Sequence, residues 1–299
     1  MERQRNKSWG IFNHYLYDRP GSDLALGKDE KDWNAMVQNL DVHKIASQIA
    51  QTNAGYYCIT VMQGRKYMLA PNAVFDEIAG TKPGEACAER DLISDLYEAL
   101  AVHGIELYLY FTGDGPWKDD EIGRKFGFFH PRTMVTKEFC VKWSSVLKEY
   151  ALRYGDKVKG WWMDGFYDLF GYCDALMELY YDAAKAGNPN AVMAFNNGVK
   201  KDLYKRFYKE EYTSGEFNDF TVIPKAPLID GARAHILAPL GVSADGNPWG
   251  QKGTNRDKEY MRNYVETVNR AGGRVTIDVY ISDEGDFDPQ QLEVLRYLQ

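Results

Sequence analysis

Residues 158–165 read V-K-G-W-W-M-D-G and carry the clearest indication of the fold. The apolar run predicts a buried strand, which ends at Asp164 with Gly165 directly after it. A strand interior does not hold an unpaired charge, because removing a carboxylate from water costs several kcal/mol or more. The pattern therefore predicts that Asp164 stands at the end of the strand, either as a solvated cap or as part of a site.

Similar apolar, β-rich runs recur along the chain, and helical patterns lie between them. The β-rich runs are at 8–16, 54–62, 105–112, 158–163, 191–196, 211–216, 233–240 and 274–282. The helical patterns are at 41–53, 91–103, 136–154, 172–186, 200–210, 256–271 and 288–298. Asp41, Thr136 and Asp288 stand where the N-caps of three of these helices are expected.

The alternation of strand and helix predicts an α/β protein with parallel strands. Eight such units in 299 residues match a single (β/α)8 TIM-like barrel that spans residues 1–299. A doubly wound open sheet is the alternative, but no glycine-rich phosphate loop follows the first strand. The long segments 63–90, 113–135 and 241–255 are then strand-to-helix loops over the carboxyl-terminal face, where barrel enzymes keep their active sites.

Composition argues against several classes of function. The formal net charge is -7 and no Lys/Arg stripe is present, so we expect no nucleic-acid partner. No apolar run approaches the ~18 residues of a membrane span, and residues 1–10 lack a signal-peptide core, so we expect a soluble protein. A periplasmic or secreted location would require a signal that had been removed. The spacing of the cysteines and histidines predicts neither a metal site nor another cofactor, and the oligomeric state is left open.

Polar side chains recur at the predicted carboxyl ends of the strands. Because these ends meet at one rim of a barrel, the side chains are expected to share a site. They are His14, Gln63, Asp114 with Trp117, Asp164, Asn196 with Asn197, and Glu216. The predicted substrate-binding set is His14, Gln63, Asp114, Trp117, Trp162, Asn197 and Trp249.

Asp164 and Glu216 carry the predicted chemistry. Glu216 ends the β-rich run at 211–216, and a solvated loop glutamate is its alternative interpretation. Two carboxylates that face one cavity suit glycoside hydrolysis: one attacks the anomeric carbon, and the other, kept protonated by its surroundings, donates to the leaving oxygen. A retaining pair stands about 5–5.5 Å apart and an inverting pair about 6.5–9.5 Å apart.

Four segments of the chain resemble the retaining alpha-L-fucosidases, glycoside hydrolase family 29. W-G-I-F-N-H at 9–14 resembles the family's W-G-x-F-x-H, whose histidine contacts the sugar. The stretch 90–112 with the following D-G-P-W is similar to the family's second helix and third strand, and 275–298 is similar to its last strand, loop and helix. V-K-G-W-W-M-D-G resembles the strand that ends on the catalytic nucleophile. The resemblance therefore implies a catalytic barrel with Asp164 as the nucleophile.

The chain departs from this family in two respects, and the position of its acid/base residue is open. It reads V-M-Q-G-R-K-Y at 61–67 where family members carry K-H-H-D-G-F, so the His-His pair that binds the fucose hydroxyls is absent. We expect no C-terminal β-sandwich after the predicted barrel. The family's acid/base glutamate varies in position, and Glu216 matches it best, with Asp219 and Glu211 as rivals.

Together these observations predict a retaining exo-glycosidase that acts on an alpha-L-fucoside or a related sugar, with Asp164 as nucleophile and Glu216 as acid/base. The expected partner is a carbohydrate, either an oligosaccharide or a larger glycan. Two alternatives remain: a carbohydrate-binding barrel that has lost catalysis, motivated by the absent His-His pair, and a barrel lyase or metal-assisted hydrolase with Asp114, Asp164 and Glu216 as ligands.

Overall fold

A computed structural model describes residues 6–18, 32–128 and 133–298 of the chain. The predicted domain 1–299 therefore includes short stretches that lie outside the described residues. The strands are β1 (Asn6–Asn13), β2 (Ala54–Thr60), β3 (Glu106–Thr112), β4 (Val158–Asp164), β5 (Val192–Phe195), β6 (Leu228–Ile229), β7 (Ala232–Arg233), β8 (His235–Pro239) and β9 (Arg274–Asp278). Within the described residues, seven of them pair in parallel in the order β5-β4-β3-β2-β1-β9-β8, and β6 and β7 form a separate hairpin.

Helices cross over between the parallel strands. They are α1 (Trp33–Asn39), α2 (Val42–Ala50), α3 (Ala73–Ala79), α4 (Leu92–Ala101), α5 (Asp120–Lys125), α6 (Lys137–Tyr154), α7 (Asp174–Lys185), α8 (Lys258–Arg270) and α9 (Pro289–Tyr297). The predicted caps are confirmed: Asp41, Thr136 and Asp288 each accept a hydrogen bond from a backbone N–H in the first turn of their helix. Nowhere in the described ranges does a helix have the length and apolar character needed to span a bilayer.

The curled sheet separates two hydrophobic cores. Its outer face packs against the helices, and side chains from alternate positions fill its inner face, among them Tyr56, Tyr108, Tyr110 and Trp162. Two strands make room for the inner tyrosines with glycine. A Cβ at Gly10 would lie 2.3 Å from the ring of Tyr56, and a Cβ at Gly160 would lie 2.3 Å from the ring of Tyr108.

The eight-stranded barrel predicted from the sequence is observed only in part, because the run 211–216 does not form a strand. It lies between β5 and β8: Glu211 donates its N–H to Met193 O of β5, and isolated parallel bridges join Tyr212 and Glu216 to β7 and β8. We call residues 211–217 the bridging segment. The described sheet is therefore a curled, seven-stranded parallel sheet with an irregular segment across its open side.

Side-chain bonds and one glycine explain why the bridging segment is irregular. The hydroxyl of Thr213 accepts from His235 N and donates to His235 O, so it replaces the backbone groups that a ladder would use there. Two residues later, Gly215 adopts a left-handed conformation with φ of 59°. A regular strand cannot pass through that conformation.

The helix predicted at 200–210 is also absent, and the structure shows only turns and bends there. Backbone N–H groups in and before this stretch bond to side chains instead: Asn197 N donates to Tyr204 Oη, and Arg206 N donates to Glu210 Oε1. The Arg206 side chain donates to Phe166 O and Tyr172 O. These tertiary bonds outweigh the helical pattern, which is a weak preference on its own.

Candidate active site

A cavity of about 220 Å³ opens at the carboxyl-terminal ends of the parallel strands. Its lining residues are Phe12, His14, Leu16, Gln63, Tyr110, Asp114, Trp117, Trp162, Asp164, Tyr167, Glu216, Leu237, Asn247 and Trp249. Of the residues predicted from the sequence, both carboxylates and every substrate-binding candidate except Asn197 lie in this lining. Residues separated by more than 200 positions in the chain therefore meet in one place.

Asp164 is the last residue of β4 and points into the cavity from a continuous ladder. Its carbonyl accepts from Gly113 N at 2.6 Å, and its Cα pairs with Thr112 of β3. Tyr110 Oη donates to Asp164 Oδ2 at 2.5 Å, and Asn196 Nδ2 donates to Asp164 Oδ1 at 2.8 Å. Both bonds fix the orientation of the Asp164 carboxylate. Burial and the nearby Asp164 charge raise the pKa of Tyr110 well above its ordinary value, so the phenol keeps its proton and remains a donor.

Glu216 faces the same cavity from the bridging segment. Burial raises its pKa to about 7, and the charge of Asp164 acts in the same direction. The hydrogen bond from Asn196 and the nearby His14 act in the opposite direction. The two carboxylates therefore occupy different environments: Asp164 accepts bonds from several donors, while Glu216 holds a proton at a pH where an ordinary glutamate has lost it.

Asn196 connects these two carboxylates. Its Nδ2 donates to Asp164 Oδ1 at 2.8 Å and to Glu216 Oε2 at 2.6 Å. The sequence predicts both Asn196 and Asn197 at the end of β5, and the predicted substrate-binding set includes only Asn197. In the structure Asn197 is turned away from the cavity and binds Asp168, accepting from its N–H and donating to its carboxylate. Both residues lie just beyond β5 and continue its alternation, in which Ala194 packs in the inner core and Phe195 in the outer one.

His14 lies in the cavity wall with one ring nitrogen fixed. Its Nδ1 lies 2.8 Å from Oδ1 of Asp278, which is fully buried at the end of β9. The other oxygen of Asp278 accepts from Gly250 N at 2.7 Å. A carboxylate partner favours the proton on Nδ1, so Nε2 is left to face the cavity. Asp278 thus holds both His14 and the loop that carries Trp249.

Aromatic rings form much of the remaining wall. Trp162 stacks on Tyr110 with centroids 5.5 Å apart, and its Nε1 donates to Ser214 O in the bridging segment at 2.9 Å. Trp249 meets the His14 ring edge-on at 5.8 Å. Trp117 stands at the rim, with Lys118 Nζ 5.3 Å from the centroid of its ring. Such surfaces offer a sugar both an apolar ring face and polar edges.

Gln63 and Gly64 lie in the stretch 61–67, which lacks the family's His-His pair. Gln63 lines the cavity next to Trp117. Gly64 has a left-handed φ of 76°, and a Cβ there would lie 3.2 Å from Trp117 Nε1. The space beside Gly64 is therefore taken by the side chains of Lys118 and Trp117. Nearby, Asp114 is 5% exposed and accepts from the hydroxyl of Thr112.

The two rivals for the acid/base position lie outside the cavity lining and are engaged elsewhere. Glu211 accepts from Lys185 Nζ at 2.5 Å and from Met193 N at 2.9 Å, at the far end of the bridging segment. Asp219 forms an ion pair with Arg256. Among the residues the structure describes, no three His, Cys, Asp or Glu side chains form a group that could hold a metal ion.

Sequence reasoning missed several residues of the lining. Tyr110 and Tyr167 both bond to Asp164, yet neither was in the predicted set. Tyr110 carried a usable signal, because Tyr108, Tyr110 and Thr112 alternate along β3 and so share the inner face. Asn247 comes from the loop 241–255, where no period identifies the inward-facing side chains.

No protein-family model and no curated protein matches the sequence. Solved structures do match the fold. The endo-fucoidan hydrolase MfFcnA4 from glycoside hydrolase family 107 has a TM-score of 0.74 at 15% identity, over 97% of this chain and 52% of that one. This chain thus spans about half the length of MfFcnA4.

Two alpha-L-fucosidases also match. AlfC from Lactobacillus casei, solved with alpha-L-fucose product, has a TM-score of 0.66 at 16% identity, over 98% of this chain and 94% of that one. The Bacteroides thetaiotaomicron alpha-L-fucosidase of glycoside hydrolase family 29 was solved as a trapped covalent intermediate. It has a TM-score of 0.66 at 16% identity, over 98% of this chain and 72% of that one. The chain therefore has a glycoside-hydrolase-like fold, and the resemblance to fucosidase catalytic domains that its sequence indicates is confirmed at the level of the fold.

Proposed function

We propose that this protein is a retaining glycoside hydrolase that acts on an alpha-L-fucoside or a related sugar, with Asp164 as nucleophile and Glu216 as acid/base. One observation carries the proposal: two carboxylates from distant parts of the chain share one cavity and one hydrogen-bond donor, Asn196. The chain would act as a single catalytic domain with a carbohydrate substrate and no cofactor.

The separation of the two groups supports the retaining form of the mechanism. Because Asn196 Nδ2 lies 2.8 Å from Asp164 Oδ1 and 2.6 Å from Glu216 Oε2, these two oxygens lie no farther apart than the sum of those distances. That sum is below about 5.5 Å, the upper end of the spacing in retaining pairs. An inverting pair needs about 6.5–9.5 Å so that a water fits between the carboxylate and the sugar.

In the first step, the Asp164 carboxylate attacks the anomeric carbon. The bond to the leaving oxygen breaks, and that oxygen takes the proton from Glu216. In the second step, Glu216 takes a proton from water, the water oxygen attacks the same carbon, and Asp164 leaves as a carboxylate. A Glu216 pKa near 7 suits a group that must donate a proton in one step and accept one in the next.

The cavity supports an exo-acting enzyme that binds a single terminal ring. Its volume of about 220 Å³ is smaller than the roughly 300–1,000 Å³ of sites for drug-sized ligands. Trp117, Trp162 and Trp249 would pack against the ring, and Gln63, Asp114 and His14 would bond its hydroxyls. Fucose is favoured because the solved structures that share the fold include an endo-fucoidan hydrolase and an alpha-L-fucosidase with bound alpha-L-fucose product.

A panel of nitrophenyl glycosides, including alpha-L-fucoside, galactoside and arabinoside, tests the proposal. We expect turnover of at least one substrate, with the product released in the anomeric configuration of the substrate when followed by NMR. A 2-fluoro glycosyl fluoride of the same sugar should label Asp164, as peptide mass spectrometry would report. Product of inverted configuration, or a label on another residue, would refute the mechanism.

A carbohydrate-binding protein without catalysis is the second candidate. The stretch V-M-Q-G-R-K-Y at 61–67 favours it, because the His-His pair expected from the family resemblance, with its two sugar contacts, is absent there. Calorimetry on the free monosaccharides, run beside the product assay, separates the two candidates: binding without turnover supports the second. The metal-assisted alternative gains no support from the arrangement of the described carboxylates.

A further inference from the structure

Asn196 occupies a position that the two-carboxylate mechanism does not by itself require. It follows β5 directly and is fully buried. Its amide donates to one oxygen of Asp164 and one of Glu216. Since an amide NH₂ has two hydrogens, this group has one for each carboxylate.

The rest of the residue fixes the orientation of that amide. Asn196 Oδ1 accepts from Gly198 N at 3.1 Å, while its backbone N–H donates to Met163 O at 2.7 Å and its carbonyl accepts from Phe166 N at 3.0 Å. Turning the amide over would place its oxygen against two carboxylate oxygens and its NH₂ against an N–H group. The hydrogen-bond network therefore selects one orientation.

A neutral donor is the suitable chemistry between these carboxylates. Two carboxylates this close repel each other when both are charged. A lysine or arginine between them would relieve the repulsion, but its charge would strip Glu216 of the proton that it has to donate. An amide relieves part of the repulsion at every pH without adding a charge of its own.

We infer that Asn196 is a positioning residue: it sets the separation of Asp164 and Glu216 and donates to whichever of them carries the negative charge in each step. The inference rests on the proposed function. In the first step of the proposed mechanism, Asp164 attacks as the charged carboxylate. Once Asp164 is bonded to the sugar, the charge is on Glu216, and the same amide then holds the base that activates water.

Three variants test this role. Asn196→Ala removes both hydrogen bonds, and Asn196→Asp keeps the shape but replaces the donor by a third carboxyl group. Asn188→Ala is the matched control, because Asn188 is also buried and donates to a backbone carbonyl, Val158 O, at the opposite end of β4. Circular dichroism and thermal melting establish that each variant folds.

The readouts are the pH profile of kcat/KM on 4-nitrophenyl alpha-L-fucoside and the carboxyl titration of Glu216, followed by ¹³C NMR. For Asn196→Ala we expect kcat/KM to fall about 10²-fold, the effect of a misplacement of about 1 Å. The alkaline limb and the Glu216 titration should both move up by about half to one pH unit, because one hydrogen bond to the charged form is lost.

Asn196→Asp should lose more activity at neutral pH and regain part of it in acid, where the new carboxyl group is protonated and can donate. Asn188→Ala should keep the wild-type pH profile. An Asn196→Ala protein with wild-type profile and titration overturns the inference, and so does an equal loss in both alanine variants without a pH shift. Failure of the proposed function is a different result: wild-type turnover that survives Asp164→Ala.

Discussion

The two carboxylates of the cavity are held in different ways. Asp164 ends β4, which pairs along its length with β3 on one side and β5 on the other. Glu216 belongs to the bridging segment, which touches β5 at its start and meets β7 and β8 through isolated bridges and the Thr213 hydroxyl. A continuous backbone ladder fixes the first carboxylate, whereas an isolated backbone bridge and side chains such as Thr213 and Asn196 fix the second.

This difference matches the demands that the proposed mechanism makes on each group. A nucleophile needs a fixed position relative to the sugar, and sites built on strands are held more precisely than sites on loops. An acid/base needs a tuned proton affinity, which depends on the side chains around it. Glu216 meets this demand, because Asp164, Asn196 and His14 surround its carboxyl group and each of them shifts its pKa.

Removal of the Asp164 carboxylate should have the largest effect. We expect Asp164→Ala to lower kcat by at least about 10³-fold, because no covalent intermediate can form. Steady-state kinetics on the best nitrophenyl glycoside measures the loss. Asp156→Ala is the control, since Asp156 is exposed and lies just before the other end of β4. An Asp164→Ala enzyme with near-normal kcat would show that the ladder does not carry the nucleophile.

Removal of the Glu216 carboxylate should have a smaller effect that depends on the leaving group. General acid catalysis contributes about 10²–10⁴-fold, and a good leaving group needs little of it. We therefore expect Glu216→Ala to lose far more activity on a natural-type disaccharide than on a dinitrophenyl glycoside. Added azide should partly restore turnover in the second step and give a glycosyl azide of retained configuration.

The rival carboxylates provide the control for Glu216. Glu211→Gln loses a bond at the far end of the bridging segment, so its melting temperature should fall while its dependence on the leaving group stays as in the wild type. Asp219→Asn breaks the pair with Arg256 and should behave in the same way. If either one, rather than Glu216, shows the dependence on the leaving group, the acid/base assignment moves to that residue.

The same contrast explains what the sequence could predict. The regular parallel strands could be predicted from the sequence, because apolar runs with capped helices between them locate strands such as β4. They therefore place Asp164 at a strand end. The bridging segment has the composition of a strand, and the sequence predicted one. The left-handed Gly215 and the Thr213 hydroxyl depend on where β8 lies, and no local pattern encodes that position.

Side-chain direction at the site shows the same limit. Predicting that Asn196 and Asn197 stand at a strand end required only the strand. Choosing between them required knowing which residue of β5 faces inward, and a four-residue strand with three fully buried side chains gives no alternation to read. Tyr110, by contrast, lies on a strand whose alternation was readable, and it could have been included.

Alanine substitutions at two glycines compare how well the two regions accept an added Cβ atom. A Cβ at Gly215 would lie 1.8 Å from His235 O, a backbone atom, whereas a Cβ at Gly160 in β4 would meet the ring of Tyr108. We expect both alanine variants to lose about 2–4 kcal/mol of unfolding free energy. Gly215→Ala should also reduce kcat, because the backbone next to Glu216 has to move, and denaturant unfolding with kinetics measures both.

Gly104→Ala separates the cost of a left-handed backbone conformation from the cost of the steric clash at Gly215. Gly104 has a similar left-handed φ of 66°, but a Cβ there would have open space around it. Its cost should therefore be only the roughly 1 kcal/mol of the unfavourable conformation. If Gly215→Ala costs no more than Gly104→Ala and retains full activity, the bridging segment is looser than its contacts with β8 indicate.

The smallest expected effect is a dependence of stability on pH that comes from the bridging segment and the residue before it. Burial raises the pKa of Glu216 to about 7 and that of Glu210 to about 8. In the unfolded chain both side chains ionise near pH 4.3. Between these values the folded protein binds more protons than the unfolded one, so the free energy of unfolding should fall as the pH rises from about 5 to 8.

Glu216→Gln isolates the contribution of Glu216 to that slope. The glutamine oxygen can accept from Asn196 as the Glu216 carboxylate does, and the side chain no longer acquires a buried charge. We expect the variant to be more stable than the wild type by about 1–3 kcal/mol at pH 8 and nearly equal to it at pH 4.5. Urea unfolding at several pH values measures the slope, and Glu259→Gln, on the exposed face of α8, should keep the wild-type slope. If Glu216→Gln has the same slope as the wild type, Glu216 ionises as freely in the folded protein as in water. The bridging segment would then hold a carboxylate that is no better suited to donate a proton than one on the surface.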